Sequence, residues 1–316
     1  MRAVIIGAGL SGLVCGGNLA RAGHEVTLLD KGRSPGGRLA TRRVAAAQVD
    51  HGAQFFTVRS DEFAAHTRRW AADGVVHEWC RGFSPAGDGY PRYAAAGGMN
   101  RLAKHLATDL DVRCNTLAFA VRPGRGGWEV QLDDNSVLTA DALVITCPLP
   151  QAFALTVSSG VEIPADLRNT EYDRTLSILV ALDRPGAVPA PGGLQNPDDV
   201  FSFIGDNVAK GASSHPAITF HANAAWSDAH WDDDRAEIDR LLLEHAQPWI
   251  GDANVIEVSP KRWRFATPRT IWPERCWADE SGPAPLLLAG DAFAGPRVEG
   301  AALSGLAAAS WLASRA

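Results

Sequence analysis

The sequence predicts an α/β protein with a parallel sheet in one domain and mixed α+β structure in a second domain. The first 30 residues alternate strand, turn, helix and strand, and a similar strand, turn and helix pattern recurs from residue 285 onward. Between residues 151 and 283, extended segments alternate with loops rich in Pro, Gly and Asp. A strand, helix, strand order requires a parallel pair joined by a right-handed crossover. At roughly 150 residues per domain, 316 residues are enough for two domains.

The opening unit consists of two short strands around one helix. Residues 2–6 are apolar and rich in β-branched side chains, which favours a buried strand. Residues 7–12 are predicted to be a turn. Residues 13–22 have helical spacing and are followed by Gly23, a residue that favours a helix end. Residues 25–29 form the second strand, which ends at Asp30.

The remaining elements complete the two predicted domains. Helices are predicted over 61–72 and 99–108, and strands over 111–121, 128–132 and 142–146, with residues 133–135 as a hairpin turn between the last two strands. The second block contains strands over 176–182, 200–204, 217–221 and 255–265 and a helix over 232–245. The end of the chain contains a strand over 285–289 and a helix over 300–313. We therefore assign 1–58, 94–150 and 284–316 to the first domain, and 59–93 and 151–283 to the second.

Composition excludes several classes of protein. The net charge is −6 and the basic residues are scattered, so no basic face is available for a nucleic-acid backbone. The five cysteines include no CxxC pair, which argues against a disulfide framework, a zinc site and a redox dithiol. Glycines interrupt the apolar N-terminus, and no run approaches about 18 apolar residues, so neither a signal peptide nor a membrane span is predicted. We expect a cytoplasmic protein.

The segment Gly7-Ala8-Gly9-Leu10-Ser11-Gly12 fits GxGxxG. The first glycine allows a tight turn, the second allows close approach of a pyrophosphate, and the third allows close packing of helix and strand. The following helix offers free N–H groups to the phosphates. Asp30 lies 21 residues after Gly9, where a carboxylate can accept the hydroxyls of an adenosine ribose. GxGxxG alone also occurs in ordinary glycine turns, but the strand, the helix and the acid together predict dinucleotide binding.

Two further segments favour FAD over NAD. Gly36-Gly37-Arg38 begins six residues after Asp30 and combines a close backbone passage with a bidentate phosphate donor; alone, it would also fit a flexible basic loop. Gly290-Asp291 follows the last strand, and residues 298–301 open the last helix. A carboxylate there suits the ribityl hydroxyls, and a helix N-terminus would stabilise negative charge on a reduced flavin. Alone, this segment would also fit a surface turn before a terminal helix.

Together these motifs resemble those of the flavin amine oxidase superfamily, and the chain is most similar to its renalase branch. Supporting stretches are 49–57 (VDHGAQFFT), 97–99 (GGM), 146–151 (TCPLPQ), 220–222 (FHA), 262–264 (RWR) and 290–305. The resemblance implies a Rossmann-type FAD-binding domain with a mixed-sheet substrate domain, a two-domain fold like that of p-hydroxybenzoate hydroxylase. It also implies noncovalent FAD and oxidase chemistry in which O2 reoxidises the flavin to give hydrogen peroxide. Bacterial members of this branch are associated with dihydro-NAD(P) isomers, which they oxidise to NAD(P)+.

The resemblance also implies site residues. The cofactor-binding positions that it implies are Gly7, Gly9, Ser11, Gly12, Asp30, Lys31, Gly37, Arg38, Gln54, Phe55, Leu117, Asp291, Val298, Gly300 and Ala301. The catalytic positions are His221, Phe55 and Trp263. Renalases commonly have Tyr where this chain has Phe55, and the missing hydroxyl bears on the substrate. Without the resemblance, His221 and Trp263 would also fit ordinary core positions.

Three functions remain open at this point. The first is a renalase-like oxidase of dihydro-NAD(P) isomers, in which the protein positions a small hydride donor and needs no obligatory acid, base or metal. The second is an oxidase of a small amine or secondary metabolite. The third is a non-catalytic FAD-binding scaffold or sensor. A covalent flavin link to Cys276 is not favoured, because its Trp-rich loop carries no matching motif.

Overall fold

The computed structural model describes residues 1–84 and 87–315, which form two compact units. The first unit contains residues 1–37, 103–171 and 268–315, and the second contains 38–84, 87–102 and 172–267. In chain order the strands are β1 (Arg2–Ile6), β2 (Glu25–Leu29), β3 (Thr41–Val44), β4 (Ala47–Asp50), β5 (Val76–Cys80), β6 (Arg92–Ala95), β7 (Asp111–Arg113), β8 (Ala118–Gly124), β9 (Gly127–Leu132), β10 (Val137–Ala140), β11 (Ala142–Ile145), β12 (Tyr172–Leu182), β13 (Gly193–Gln195), β14 (Phe201–Asp206), β15 (Ala217–Ala222), β16 (Val255–Pro268), β17 (Trp277–Asp279) and β18 (Leu286–Leu288). The helices are α1 (Leu10–Arg21), α2 (Asp61–Ala72), α3 (Asn100–Leu106), α4 (Leu149–Thr156), α5 (Ala165–Arg168), α6 (Ala224–Ala229), α7 (Arg235–Ile250) and α8 (Arg297–Ala313).

A six-stranded sheet in the order β17-β18-β11-β1-β2-β7 forms the centre of the first unit. The strands β18, β11, β1, β2 and β7 pair in parallel, and β17 is antiparallel to β18. Ile6 lies opposite Leu29 on one side and Ile145 on the other, and all three are buried. Such continuously apolar strands are typical of a parallel sheet covered on both faces. The predicted parallel pairing of the first two strands is confirmed.

The two ends of the chain meet in one helical layer of this unit, where α1 packs against α8. A Cβ on Gly305 would lie 2.2 Å from the backbone oxygen of Ser11, so only glycine allows this approach. Residues from both ends of the sequence thus lie in the first unit.

Several element boundaries differ from the prediction. The predicted strand over 111–121 is two strands: β7 joins the six-stranded sheet, and β8 joins the order β10-β9-β8 in a three-stranded sheet. The break contains Asn115, whose φ of 51° is left-handed and incompatible with a continuous strand. The turn after β9 leads to β10, which the prediction missed, rather than directly to β11. Helix α1 starts at Leu10, inside the predicted turn, and α8 starts at Arg297.

The second unit is built on a five-stranded sheet in the order β13-β14-β15-β12-β16. The pairs β13–β14, β14–β15 and β12–β15 are antiparallel. One face packs with Ile238, Leu242 and Ala246 of α7. The other face buries the β3–β4 hairpin, whose Val44 and Val49 form a cluster with Leu179, Ala181 and Ala217.

This hairpin packing moves the domain boundaries. Residues 38–58 and 94–102 belong to the second unit, whereas the prediction grouped them with the first. Residues 151–171 and 268–283 belong to the first unit, where β17 pairs with β18 and Trp272 bridges Phe293. Residues 85, 86 and 316 of the predicted segments lie outside the described residues. Within the described part of the chain, no helix combines the length and the apolar character needed to cross a membrane.

Candidate functional site

The glycine-rich turn between β1 and α1 has the backbone that its sequence predicts. Gly7 has a φ of 112°, which favours glycine, and its N–H donates to the carbonyl of Leu29 at 2.8 Å. A Cβ on Gly12 would lie 2.0 Å from the Gly7 oxygen, so the helix can pack here only without a side chain. A Cβ on Gly9 would meet no atom within 4 Å. Gly9 therefore faces open space at the start of α1.

Two features of this helix start fit a phosphate group. Helix geometry leaves the first backbone N–H groups without intrahelical acceptors, and the N-cap residue Gly9 makes no side-chain cap. The Ser11 side chain is also buried, with the residue 4% exposed, and its Oγ has no hydrogen-bond partner among the described residues. Buried hydroxyls are normally paired, and a phosphate oxygen would satisfy both kinds of donor. The residues present therefore fit a bound dinucleotide.

Asp30 ties the glycine turn to the loop that follows β2. Its Oδ2 accepts the N–H of Ala8 at 2.8 Å, and its Oδ1 accepts the N–H of Gly32 at 2.7 Å. Each carboxylate oxygen has a second lone pair, so these bonds leave capacity for ribose hydroxyls. This structural role of Asp30 was not predicted from the sequence. Lys31 lies between Asp30 and Gly32, the two residues that the second of these hydrogen bonds joins.

Leu117 is brought close to the same loop through the backbone. The N–H of Thr116 donates to the Asp30 carbonyl at 2.9 Å, which places the next residue beside the end of β2. Leu117 is 41% exposed, and its carbonyl accepts the N–H of Asp133 at 3.0 Å. The predicted cofactor positions of β1, β2 and this segment therefore lie together in the first unit.

The Gly-Gly-Arg segment divides between the two units. Gly36 donates to the Ala8 carbonyl at 2.8 Å, and a Cβ on Gly37 would lie 3.3 Å from Cα of Gly9. Both glycines therefore pack against the glycine-rich turn. Arg38 begins the second unit, where its guanidinium donates to the carbonyl of Ala266 at 3.1 Å. Its role towards a phosphate stays a prediction.

The turn between β18 and α8 places the predicted C-terminal cofactor residues at the start of one helix. Gly290 has a φ of 148°, and its N–H donates to Ser304 Oγ at 2.8 Å, next to the buried Asp291. A Cβ on Gly300 would lie 1.8 Å from the Gly295 oxygen, so the turn closes onto the helix only with glycine. Val298, Gly300 and Ala301 all lie within the first turns of α8.

In the second unit, Gln54 is the centre of a buried polar network. Its Nε2 donates to the carbonyls of Asp50 at 2.8 Å and Gly52 at 3.1 Å. Its Oε1 accepts from Lys210 Nζ at 2.5 Å, and its Nε2 lies 3.4 Å from Nε2 of His221. Lys210 Nζ is also 3.0 Å from Asp50 Oδ2. The structure thus brings the predicted residues Gln54 and His221 together with Lys210, which the sequence argument did not single out.

Burial controls the protonation of the imidazoles here. Burial and the positive charge of Lys210 lower the pKa of His221 to about 4. Burial, followed by the charges of Lys261 and Arg42, lowers the pKa of His51 to about 3. Both rings are therefore neutral near pH 7. Burial also lowers the pKa of Lys210, but the Asp50 carboxylate opposes this effect, and we assign an ion pair.

Trp263 lies against His51. Their ring centroids are 5.5 Å apart in a stacked arrangement, and Trp263 Nε1 donates to the His51 carbonyl at 2.5 Å. Lys261 Nζ lies 4.6 Å from the centroid of the Trp263 ring. Trp263 thus anchors the chain just before Gln54.

Phe55 belongs to a cluster of aromatic rings with Trp79, Phe83 and Phe203. Neighbouring centroids in this aromatic cluster are 5.1–6.3 Å apart. The Arg92 guanidinium lies 4.9 Å from the Phe83 centroid and 5.9 Å from that of Phe55. Only Phe55 was predicted from the sequence, because the other three rings come from separate segments that only the fold brings together.

The parallel sheet and glycine-rich turn of the first unit have the arrangement of a dinucleotide-binding domain. Residues 5–79 match the profile of an NAD(P)-binding Rossmann-like domain, and residues 59–312 match that of the flavin-containing amine oxidoreductases. The chain belongs to the flavin-containing amine oxidoreductase family, and it is an FAD-dependent oxidoreductase. The predicted Rossmann-type two-domain fold is confirmed.

Solved structures share the fold of this chain. A protein from Exiguobacterium sp. 255-15, proposed to be a protoporphyrinogen oxidase, superimposes with a TM-score of 0.76 at 13% identity, covering 100% of this chain and 99% of that one. Putrescine oxidase bound to putrescine superimposes with a TM-score of 0.70 at 14% identity, covering 100% of both chains. At these identities the likeness shows the fold alone.

Among curated proteins, the chain is similar to hydroxyneurosporene desaturase from Cereibacter sphaeroides. The two are 47% identical over 58 residues, which is 18% of this chain and 12% of the desaturase. The hydroxyneurosporene desaturase of Rubrivivax gelatinosus is 45% identical over 58 residues, 18% of this chain and 11% of that protein. The chain therefore matches only about one eighth of the length of these relatives.

Proposed function

We propose that this protein is a renalase-like oxidase that takes a hydride from dihydro-NAD(P) isomers, releases NAD(P)+, and passes the two electrons to O2 to form hydrogen peroxide. We further propose that FAD is bound noncovalently and that the enzyme works in the cytoplasm. The observation that carries this choice of donor is the aromatic cluster of Phe55, Trp79, Phe83 and Phe203, with the Arg92 guanidinium 4.9 Å from the Phe83 centroid.

The charges around Phe55 disfavour an amine donor. Arg92 lies over two of the rings, and the nearby buried charge beside Gln54 is Lys210. The carboxylates that contact these cations are engaged: Asp88 forms a bidentate pair with Arg92 at 2.6 Å, and Asp50 pairs with Lys210 at 3.0 Å. An ammonium group would gain no free carboxylate from these two pairs. A neutral planar ring can stack on aromatic faces without this conflict.

The residues of the first unit that would hold FAD are the glycine-rich turn, Ser11, Asp30 and the start of α8. When bound, FAD would supply a two-electron acceptor for the hydride. In the second unit, neutral His221 can orient the donor through a hydrogen bond, and Phe55 can pack against its ring. Neither side chain has to move a proton in the hydride transfer, because the hydride leaves with its electron pair.

An anaerobic stopped-flow experiment tests this proposal. The purified yellow protein is mixed separately with dihydro-NAD(P) isomers, with NADPH, and with putrescine and other small amines, and flavin absorbance is followed. We expect the isomers to bleach the flavin fast and the amines to leave it oxidised. After O2 is admitted, one equivalent of peroxide should form per isomer oxidised.

Two outcomes would contradict the proposal in different ways. Fast bleaching by an amine, with no response to the isomers, would establish an amine oxidase. A flavin that no donor reduces and no peroxide with any donor would indicate a non-catalytic scaffold or sensor.

A further inference from the structure

Two basic side chains of the second unit, Arg42 on β3 and Lys261 on β16, are brought together by the packing of the β3–β4 hairpin. The hairpin is attached to β16 at two points. At its open end the Trp263 indole donates to the His51 carbonyl, and at its tip a backbone N–H donates to Glu257 Oε2 at 2.8 Å. Arg42 and Lys261 lie between these two points, one on each strand. The fold therefore places the two cations side by side.

No counter-charge accompanies this pair of cations. Among the residues that the structure describes, the side chains of Arg42 and Lys261 make no ion pair and no hydrogen bond. The Glu257 carboxylate lies four residues from Lys261, about 13 Å along an extended strand. Burial and the charge of Arg42 both lower the pKa of Lys261. Because like charges repel, an anion bound between the two side chains would be stabilised by both.

A stack of two rings connects these cations to the predicted donor site. Lys261 Nζ lies 4.6 Å from the centroid of Trp263, and the Trp263 ring stacks on His51 with centroids 5.5 Å apart. The carbonyls on either side of His51 accept hydrogen bonds from Gln54 Nε2, which lies 3.4 Å from Nε2 of His221. The two cations thus lie within one ring stack of the segment where Gln54 and His221 meet.

The chemistry of the pair fits a phosphate group. Arginine presents a planar fork of donors and lysine a compact point charge, and phosphate oxygens accept hydrogen bonds from both. Arg42 is exposed and Lys261 is partly exposed, so a ligand can reach them from solvent. In a dihydronicotinamide dinucleotide, one ribose separates the reacting ring from the pyrophosphate. The sequence contains no second GxGxxG turn that could bind this pyrophosphate.

We propose that Arg42 and Lys261 bind the phosphate groups of the dinucleotide donor, while its nicotinamide ring reaches the segment of Gln54 and Phe55. The inference rests on the proposed function, because it takes a dihydro-NAD(P) isomer as the donor. It adds the reason why this enzyme would select a phosphorylated donor over the free ring. Arg42 and Lys261 contribute to donor binding in this role and touch no reacting atom.

Calorimetric titration of the FAD-loaded protein tests this site without turnover. NAD+ and nicotinamide riboside share the ring and its ribose, but only NAD+ carries the pyrophosphate. We expect the wild type to bind NAD+ more tightly than the riboside, and inorganic pyrophosphate to compete with NAD+. Arg42→Met and Lys261→Met should each weaken NAD+ binding by about tenfold, the scale of one lost charged hydrogen bond. Both variants should bind the riboside as the wild type does.

Arg43→Met is the matched control. Side chains alternate between the faces of a strand, so Arg43 projects from the opposite face of β3 to Arg42, and it is also exposed. The control removes the same charge from the protein as the two test variants. We expect it to bind NAD+ and the riboside as the wild type does.

Anaerobic stopped-flow kinetics provide a second measurement on the same variants. Lys261→Met and Arg42→Met should raise the Kd of a dihydro-NAD isomer by about tenfold and leave the limiting rate of flavin reduction unchanged. The reason is that the phosphates are bound equally before and during hydride transfer. The corresponding isomer of dihydronicotinamide riboside, which has no phosphate, should react equally with the wild type and both variants.

Three results would overturn the inference. The first is NAD+ binding that responds to neither Lys261→Met nor Arg42→Met, and the second is an equal loss in Arg43→Met. The third is weaker FAD binding in the two test variants with unchanged NAD+ binding, which would assign the cations to the phosphates of the cofactor. If no dihydro-NAD(P) isomer reduces the flavin, the proposed function fails, and the titrations with NAD+ and pyrophosphate still decide this site.

Discussion

Gly9→Ala separates cofactor binding from folding at the glycine-rich turn. Gly9 has ordinary backbone angles, φ −75° and ψ −179°, and an added Cβ would meet no protein atom within 4 Å. We expect the free energy of unfolding of the cofactor-free protein to change by less than about 1 kcal/mol, the scale of an N-cap substitution. The methyl group would occupy the space where the phosphates are predicted to pass.

The cost in affinity follows from the hydrogen bonds at the start of α1. Displacing a phosphate from one backbone N–H removes a bond to a charged group, worth about 1.5–3 kcal/mol. This corresponds to FAD binding that is roughly 10- to 100-fold weaker. The assay is a fluorescence titration of the cofactor-free protein with FAD, together with chemical denaturation without FAD.

Gly17→Ala is the matched control. Gly17 also faces open space, but it lies in the interior of α1, where alanine stabilises a helix by about 0.5–1 kcal/mol. The FAD affinity of the Gly17→Ala variant should equal that of the wild type. Normal FAD binding by Gly9→Ala, or an equal loss of FAD affinity in both variants, would contradict the predicted passage of the phosphates at Gly9.

Three further predictions follow from the same structure. The pKa of His221 is lowered to about 4 and that of His51 to about 3, both below the ordinary 6.5. The unfolded protein therefore binds more protons than the folded protein as the pH falls below 6.5. Stability is full above pH 6.5 and declines below it. At pH 5.5 each histidine should lower the free energy of unfolding by about 1.4 kcal/mol. Between pH 7.5 and 5.5, the free energy of unfolding of His221→Gln, measured by denaturation, should therefore change by about 1.4 kcal/mol less than that of the wild type. Gly12→Ala should destabilise the fold as well as weaken flavin binding, because its Cβ would lie 2.0 Å from the Gly7 oxygen. The melting temperature of the cofactor-free variant should be lower than that of the wild type, and an unchanged melting temperature would contradict the close packing. Acid precipitation should leave the protein colourless with FAD in the supernatant, whereas a yellow pellet lost in Cys276→Ala would establish a covalent link.

The parallel sheet and the glycine-rich turn were predictable because their signals are local. Residues 2–6 and 25–29 are short apolar runs on either side of a helix, and the observed strands have the same bounds. The glycines at 7 and 12 are required by backbone angle and by close approach, which are properties of the nearest residues. Such features depend little on the rest of the chain.

The missed features depend on tertiary packing. The β3–β4 hairpin belongs to the second unit because Val44 and Val49 pack on its sheet, and no property of those residues alone indicates this partner. Lys210 lies in a glycine-flanked segment that is typical of an exposed turn, since a single lysine is rarely buried. Its importance comes from Asp50, a residue far away in sequence, which supplies the counter-charge.

The packing of α8 against α1 has a consequence for the order of synthesis. Strand β18 and helix α8 lie near the C-terminus, yet they complete the layer and the sheet that begin with β1 and α1. The elements β1 and α1 are therefore synthesised before β18 and α8, the elements that complete their sheet and helical layer. During that interval the face of α1 that later packs against α8 has no partner, and a chain that ends before residue 286 lacks both β18 and α8.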